Sequence, residues 1–490
     1  MVAEEVLYQS VWELSGQIRA RKISPVELTE ASLDRLEKLG PKLGAVATIT
    51  RERALEEARA AEKELAAGRS RGPLHGIPYG AKDLLATRGI PTTWGAPPFK
   101  DQVFEYDATV VRKLREAGAI LVAKLAMIEL AGGGGYNNGK ASLQGPSRCP
   151  YNLEHWAGGS SSGPGAAVPS GLVAFAIGSE TLGSIITPSA FSGVSGLRPT
   201  YGRVSRHGAM ALSWTMDKLG PMCRAAVDCG LVLNAIAGED PLDATSRREA
   251  FHYFVPNDEK RVRSLAGKKL GVLRPDFPKD GDPEVGAAFD EAVKVLEKLG
   301  AKMEEADLPE FPYTPVAVAL YQGEAAAIFR PFIESEKLNE LIDDTQKAGL
   351  KSALEMKATD YLDAFRLRAQ IQAAMAELFN NYDALVAPSR TSPAPPLDRD
   401  FDAAARAAEA KPGEEKPREP RQPPAPKTQL IAASNVAGLP ALSVPCGFTK
   451  DKNLPIAIQF VADALREDVC IECTHAYQLT TDWHKRRPAL

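Results

Sequence analysis

The chain has 490 residues, of which 44% are hydrophobic and 25% are charged, and its formal net charge is −4. These values are typical of a globular protein with a sizeable core, and the slightly acidic balance argues against nucleic acid or an anionic membrane as a partner. The N-terminus lacks a basic segment followed by an apolar one, and no stretch approaches the roughly 20 apolar residues of a membrane span. We therefore expect no signal peptide, no membrane or nucleic-acid partner, and a cytoplasmic location.

The first 70 residues predict helices. Residues 24–27 (Ser-Pro-Val-Glu) form a capping box with proline at the first helical position. Apolar residues then recur on one helical face from 28 to 39, and Gly40 is expected to end this helix. A second helix, charged and rich in alanine, is predicted from about 51 to 67.

The composition changes between residues 76 and 200. Short apolar runs such as 119–122 alternate with helical segments such as 108–117, and glycine is dense at 132–135 and 158–165. Apolar strands that lead into glycine-rich turns indicate an α/β core whose loops approach a ligand closely.

The second half of the chain predicts a β-α-β unit followed by helices. A strand at 270–273 precedes an amphipathic helix at 285–299 and a short strand near Lys302, and residues 315–380 have a mostly helical pattern. Residues 398–427 are charged, then proline-rich, with few large apolar side chains. We therefore interpret them as a mobile surface excursion, which is either a lid over a site or an insertion without a functional role.

Six cysteines are too few for a disulfide framework in a chain of this length. Cys470 and Cys473 form one C-x-x-C with His475 close by, but no second cluster supplies the further ligands that a zinc site needs. We interpret the cysteine pair as reduced and structural. The remaining histidines are isolated, so neither a histidine-based triad nor a metal centre is favoured.

Three segments carry the chemistry: 76–83 with Lys82, 158–163 with Ser160, and 178–185 with Ser184. Each has an ordinary alternative, because most lysines are solvated and a Gly-Gly-Ser-Ser-Ser-Gly run is also typical of a flexible linker. The run lacks the terminal Gly-Lys-Ser/Thr of a phosphate-binding loop. A serine hydroxyl is a weak nucleophile until a base accepts its proton, and without a paired histidine a neutral lysine can serve. Such a lysine needs its pKa lowered by roughly 3 units, or about 4 kcal/mol, which burial can provide.

Together the three segments resemble the amidase signature family. The match includes the 24-residue spacing from Ser160 to Ser184 and the position of Lys82, 78 residues before Ser160. It continues nearly to the C-terminus, through 202–206, Asp217, Gly220, Pro221, Asp228, 237–240, Asn435, 438–440, Val444, Pro445, Gly447, Leu454, Pro455 and Gln459.

The resemblance implies an α/β fold, with a mixed central β-sheet covered by helices on both faces, as a single large domain with a helical or flexible lid region. The subdivisions we expect are 1–70 (N-terminal helices), 71–250 (catalytic core), 265–397 (α/β and helical substrate cap), 398–427 (insertion) and 428–490 (return to the core).

The resemblance also implies the roles of individual residues. Ser184 aligns with the nucleophile, Lys82 with the base, and Ser160 with a bridging serine whose bond to Gly159 is cis. The main-chain N–H groups of Thr181, Leu182, Gly183 and Ser184 align with the oxyanion hole, and they would converge on one point if Ser184 opens a helix. Gly132, Gly133 and Gly134 align with the acyl pocket. Ser161, Ser162 and Ser179 are interpreted as supporting hydrogen bonders or turn residues, and Glu180 as a residue that orients the loop. No metal or organic cofactor is implied.

One departure from the family pattern bears on specificity. Many relatives carry an arginine two residues after the nucleophile, which in some of them pairs with a substrate carboxylate, whereas this chain has Ile186. We therefore expect an amidase that hydrolyses neutral, apolar small-molecule amides through an acyl-enzyme on Ser184, with anilides, esters and carbamates (urethanes) also open.

Four alternatives are carried forward. They are an aryl carbamate hydrolase (urethanase), the amidase component of a tRNA-dependent amidotransferase, a non-catalytic binding protein and a lipid amidase. The expected partner is a small-molecule amide-type substrate, and a homodimer is left open.

Overall fold

A large mixed β-sheet lies at the centre of the molecule, as the predicted α/β class requires. The computed structural model describes residues 2–133, 138–256, 262–397 and 426–490, and within them the sheet has 11 strands. In spatial order the strands are β1 (Val46–Ile49), β3 (Ile120–Leu125), β2 (Pro78–Lys82), β6 (Phe175–Glu180), β8 (Lys218–Cys223), β7 (Ser195–Arg198), β12 (Ala441–Phe448), β13 (Pro455–Ala462), β11 (Ala384–Pro388), β9 (Lys269–Val272) and β10 (Lys302–Glu305). Two short strands, β4 (Arg148–Cys149) and β5 (Asn152–Trp156), pair separately.

Helices flank the sheet. They are α1 (Val11–Arg19), α2 (Pro25–Leu43), α3 (Arg51–Ala66), α4 (Thr109–Glu116), α5 (Ser162–Ala167), α6 (Ile186–Ser192), α7 (Ala226–Ile236), α8 (Pro283–Lys298), α9 (Tyr313–Ile333), α10 (Asp344–Ala353), α11 (Ala358–Leu378), α12 (Leu430–Ala437) and α13 (Glu467–Thr480). Every residue of β2, β3, β6 and β8 is buried. Because successive side chains of a strand point to opposite faces, both faces of this part of the sheet are covered.

Strand direction places the candidate residues together. β2 runs parallel to both β3 and β6, so the carboxyl ends of these three neighbouring strands lie at one edge of the sheet. Lys82 is the last residue of β2, and Ser179 and Glu180 are the last two residues of β6. Open α/β sheets bind ligands at this edge.

Most of the elements predicted from the sequence are confirmed. The capping box is formed at Ser24, the β-α-β unit is β9, α8 and β10 with parallel strands, and residues 315–380 fold largely into α9, α10 and α11. Cys470 and Cys473 are buried free thiols of α13. Residues 398–425, most of the predicted surface excursion, lie outside the described residues.

The predicted end of α2 at Gly40 is wrong. The helix continues to Leu43, and Gly44 ends it in the left-handed conformation with φ 59°. Gly40 instead allows a close approach, because a Cβ atom there would lie 2.7 Å from Val46 Cγ2. Throughout the described ranges every helix is too short or too polar to cross a lipid bilayer.

Candidate active site

Lys82 is fully buried, and its amine is shared by two serine hydroxyls. Nζ donates hydrogen bonds to Ser160 Oγ at 2.7 Å and to Ser179 Oγ at 2.9 Å. Desolvation lowers the pKa of the Lys82 amine to about 7, against the opposing influence of the negative charges of Asp217 and Glu180. An amine with this pKa is partly neutral near pH 7 and is able to accept a proton.

The carboxylate next to Lys82 in the sequence is neutralised by a different lysine. Asp83 Oδ1 lies 3.0 Å from Lys124 Nζ, and both side chains are completely buried. Asp83 Oδ2 accepts hydrogen bonds from the main-chain N–H and the hydroxyl of Thr93 at 2.9 and 2.5 Å. Asp83 is thereby fixed without forming an ion pair with Lys82.

The glycine-rich segment around Ser160 is rigid rather than linker-like. The Gly159–Ser160 peptide bond is cis, as the family resemblance implied. Gly158 has φ 86°, and a Cβ atom there would lie 2.7 Å from Pro188 Cα. Every residue of α5, which follows directly, is buried. This close packing explains the dense glycines better than flexibility does.

Ser161 joins this segment to the loop that carries Ser184. Its hydroxyl accepts a hydrogen bond from Ser179 N at 3.2 Å and donates one to Ser179 O at 3.1 Å, while its N–H donates to Ser184 O at 3.3 Å. The structure therefore brings Lys82, Ser160 and the Ser184 loop into one assembly. Among the described residues, the Ser184 hydroxyl itself has no hydrogen bond to Ser160 or Lys82.

Ser184 does not open a helix, which corrects the arrangement considered from the sequence. α6 begins at Ile186, and the N–H groups of Ile185 and Ile186 donate to Glu180 Oε2 at 2.8 and 2.9 Å. The carboxylate thus occupies the helix N-terminus and accepts from the N–H groups of Ile185 and Ile186, which are therefore not free to bind a substrate oxyanion. The main-chain N–H groups of residues 181–184 stay available as donors, because no acceptor within the described residues bonds to them. Unpaired main-chain donors are rare in folded proteins, so these four N–H groups are suited to a negatively charged ligand atom.

Glu180 is the centre of a buried polar network beneath this loop. Its Oε1 accepts hydrogen bonds from Arg198 Nη1 and Asn435 Nδ2, both at 2.8 Å. Lys218 Nζ donates to Asn435 Oδ1 at 2.7 Å. Burial alone would raise the pKa of Glu180, but Arg198 and Lys218 hold it below its ordinary value. The predicted orienting role of Glu180 matches these contacts.

A second carboxylate holds the beginning of the loop. Asp217 Oδ1 accepts a hydrogen bond from Thr181 Oγ1 at 2.5 Å, and Oδ2 accepts from the N–H groups of Leu212 and Ser213 at 2.8 and 2.9 Å. Desolvation raises the pKa of Asp217, although these hydrogen bonds oppose the rise. Asp217 therefore connects the loop of the candidate oxyanion donors to the segment 212–215.

A cavity of about 200 Å³ adjoins the lysine and serine cluster, and we call it the active-site cavity. The polar residues of its wall are Ser179, Thr181, Arg206, His207, Asp217 and Asp243. Its remaining wall is largely apolar and includes Leu84, Ala131, Met210, Leu212 and Leu219. Leu182, on the other side of the loop, lines a separate cavity of about 420 Å³ together with Ser389, Gln429, Ile431 and Gln459.

The predicted glycine pocket is only partly described. Ala131 is the residue of this segment that lines the active-site cavity, and Gly132 and Gly133 follow it as buried residues. A Cβ atom on Gly133 would lie 3.1 Å from Leu212 Cδ1, on the cavity wall. Gly134 lies outside the described residues, and the substrate-binding role of the three glycines stays a prediction.

Sequence reasoning missed two contacts of this site. Ser179, interpreted as a supporting residue, bonds Lys82 directly, and Asp217 was noted only as part of a family match. The pairing of β2 with β6 would have indicated the Ser179 contact. No group of three or more histidine, cysteine, aspartate or glutamate side chains in residues 2–133, 138–256, 262–397 and 426–490 is arranged to hold a metal ion.

Comparison with known proteins gives both a family and close relatives. A family model described as Amidase matches residues 27–471. The glutamyl-tRNA(Gln) amidotransferase A subunit of Moorella thermoacetica is 36% identical over 509 aligned residues, covering 99% of each chain.

Two of the similar solved structures are full-length matches. The native peptide amidase from Stenotrophomonas maltophilia has a TM-score of 0.80 at 29% identity and covers 98% of both chains. A chain from a vestigial protein complex, described as revealing the evolutionary origins of an s-triazine catabolic enzyme, has a TM-score of 0.83 at 27% identity and covers 98% of this chain and 100% of that one.

Proposed function

The chain belongs to the amidase (amidase signature) family and is an enzyme that acts on carbon–nitrogen bonds, and from this premise we propose that it hydrolyses carboxamides through an acyl-enzyme on Ser184. The observation that carries the proposal is the buried amine of Lys82, bonded to Ser160 and with a pKa of about 7. A buried base within reach of two serine segments is what activation of a hydroxyl nucleophile requires.

In the first step, Ser184 Oγ attacks the carbonyl carbon while its proton passes to Ser160 and the Ser160 proton passes to Lys82. The oxygen of the tetrahedral intermediate accepts hydrogen bonds from the free N–H groups of residues 181–184. The carbon–nitrogen bond then breaks as Lys82 returns its proton, through Ser160, to the leaving nitrogen. Water attacks the resulting ester by the same route and releases the acid. Removal of one oxyanion donor typically lowers the rate by about 100- to 1000-fold.

For the substrate, the site favours a neutral, apolar acyl group. Ile186 is completely buried and packs in the apolar cluster that also contains Met216, so the position offers no cation to a substrate carboxylate. Arg206 lines the active-site cavity, but its guanidinium bonds Trp214 O at 2.6 Å and lies 3.7 Å from Asp243. The apolar wall of the cavity supports the same choice.

A second candidate is the glutamine-hydrolysing component of a tRNA-dependent amidotransferase. The full-length similarity to amidotransferase A subunits, at 36% and 35% identity, favours this candidate over the free-standing amidase. Those relatives are named as subunits, so this interpretation also requires a partner chain. Free glutamine carries both a carboxylate and an ammonium group, and Ile186 supplies no partner for the carboxylate.

Aryl carbamates are a third class, because acyl transfer to Ser184 tolerates different leaving groups and acyl substituents. Cleavage of a carbamate would place a carbonate-type acyl group on Ser184 and release the amine. The size and apolar wall of the active-site cavity are compatible with such a group.

The test is a panel of chromogenic amides, esters and carbamates, with L-glutamine, assayed with wild type, Ser184→Ala and Ser162→Ala. Ser162 belongs to the same serine-rich run but its buried hydroxyl has no partner in the described part of the chain, which makes it a matched control. We expect Ser184→Ala to lose about 1000-fold or more, Ser162→Ala to stay close to wild type, and a fluorophosphonate to label Ser184. Retention of activity by Ser184→Ala would refute the mechanism. Ammonia release confined to glutamine, and increased by a co-purifying chain, would select the second candidate.

A further inference from the structure

Trp214 combines a fixed main chain with an exposed side chain. The exposed fraction of this tryptophan is 51%. On one side, Ser213 N donates to Asp217 Oδ2 at 2.9 Å. On the other, the carboxylate of Glu324 accepts hydrogen bonds from Thr215 N at 3.2 Å and Thr215 Oγ1 at 2.8 Å. Two carboxylates therefore hold the segment 213–215 from both ends.

The carbonyl groups of the same segment are held as well. Trp214 O accepts hydrogen bonds from Tyr201 Oη at 2.7 Å and Arg206 Nη1 at 2.6 Å, and Thr215 O accepts one from Arg368 Nη2 at 2.8 Å. Ordering a loop before a ligand arrives reduces the entropy lost on binding. An indole ring presented to water on such a loop is better suited to contacting a ligand than to packing the core.

Two cavities meet at Trp214. One is the active-site cavity, and the other, of about 260 Å³, lies among α9, α10 and α11 and is called the distal cavity here. Trp214 lines both. The wall of the distal cavity is mostly small or apolar, with Ala326, Ala327, Ala353, Leu354 and Met356 among its residues.

We propose that the distal cavity is a second substrate subsite, which binds an aromatic group at the far end of the acyl chain while Trp214 stacks against it. The proposal rests on the proposed function, with the acyl group in the active-site cavity beside Thr181. The charged residues of the wall are Glu324, Arg330 and Lys357, and the Glu324 carboxylate already accepts hydrogen bonds from Thr215 and Tyr361. An aromatic ring would match both the apolar wall and the indole.

The experiment compares the 4-nitroanilides of butanoic acid and 6-phenylhexanoic acid. Trp214→Ala removes the stacking surface, and Ala327→Trp fills the distal cavity from an exposed position of α9. Leu242→Ala is the matched control, because Leu242 is an exposed apolar residue that lines the active-site cavity and is not among the residues of the distal cavity. We expect both test variants to lower the ratio of kcat/KM for the long anilide to kcat/KM for the short anilide by about tenfold. The control should change both substrates equally.

An unchanged ratio of the two kcat/KM values in Trp214→Ala and Ala327→Trp would overturn the subsite. A wild type that hydrolyses neither anilide would refute the proposed substrate class instead. In that case calorimetric titration with 6-phenylhexanamide decides on the subsite. Binding about tenfold weaker in both variants supports it, and equal binding, or none to wild type, overturns it.

Discussion

Replacing Lys82 with methionine tests the central physical claim, which is that the folded protein holds this amine largely neutral. Burial lowers the pKa of Lys82 from 10.5 to about 7, and methionine has a similar length but no titrating group. At 1.36 kcal/mol per pKa unit, the folded state disfavours the charged amine by about 5 kcal/mol. The pH dependence of this penalty is measurable in the free energy of unfolding.

The sign follows from proton counting. Between pH 7 and 10.5 the unfolded chain keeps a proton on Lys82 that the folded chain has released, so the free energy of unfolding rises with pH by about 1.4 kcal/mol per pH unit. Below pH 7 both states are protonated and the full penalty applies. Relative to Lys82→Met, wild type should therefore gain about 2.5 kcal/mol between pH 7.5 and 9.5.

Urea unfolding of both proteins at several pH values measures this difference, because the contributions of all other groups cancel to first order. The same pKa predicts that kcat/KM of wild type falls tenfold per pH unit below about pH 7, since only the neutral amine accepts the serine proton. The reasoning would be refuted if the difference in free energy of unfolding between the two proteins did not change with pH. It would also be refuted if kcat/KM of wild type were constant from pH 5 to 8.

Three further predictions concern the supporting residues. Ser179→Ala should lower kcat by about tenfold, because Lys82 loses one of its two hydroxyl partners, whereas Ser179→Thr should keep most activity. Equal steady-state rates for wild type and the two variants would contradict this prediction. Glu180→Gln should lower the free energy of unfolding by about 3–5 kcal/mol, because buried Arg198 loses its counter-charge. A urea midpoint equal to that of wild type would show that the ion pair between Glu180 and Arg198 does not stabilise the fold. Gly158→Ala should lower the free energy of unfolding by about 2 kcal/mol or more, since its φ is 86° and the added methyl group would lie 2.7 Å from a main-chain carbon. A thermal unfolding temperature equal to that of wild type would exclude this clash.

The sequence predicted those parts of the fold that depend on neighbouring residues. The capping box at Ser24 and the β-α-β unit formed by β9, α8 and β10 follow from spacing along a few turns, and both are present. The family resemblance predicted that Lys82 and Ser160 lie together although 78 residues separate them, and their contact at 2.7 Å fits that expectation.

Local sequence patterns gave wrong predictions where a residue in contact, but not in the same local pattern, determines the structure. The sequence predicted a helix end at Gly40, but its contact with Val46 shows that Gly40 is needed for packing, and the helix ends at Gly44. The start of α6 at Ile186 depends on Glu180, whose carboxylate takes the first helical N–H groups. No spacing rule indicates such contacts, because they depend on strand register and side-chain direction in three dimensions.

The network around Glu180 also has a consequence for biosynthesis. Its amide partner, Asn435, lies 255 residues further along the chain. At about 5–20 residues per second, a ribosome reaches Asn435 roughly 10–50 s after it has added Glu180. For that interval the nascent polypeptide carries both serines and Lys82 but lacks the helix that completes their support. We therefore expect a translation-arrested chain that stops short of α12 to be inactive, so that hydrolysis begins only when synthesis is nearly finished.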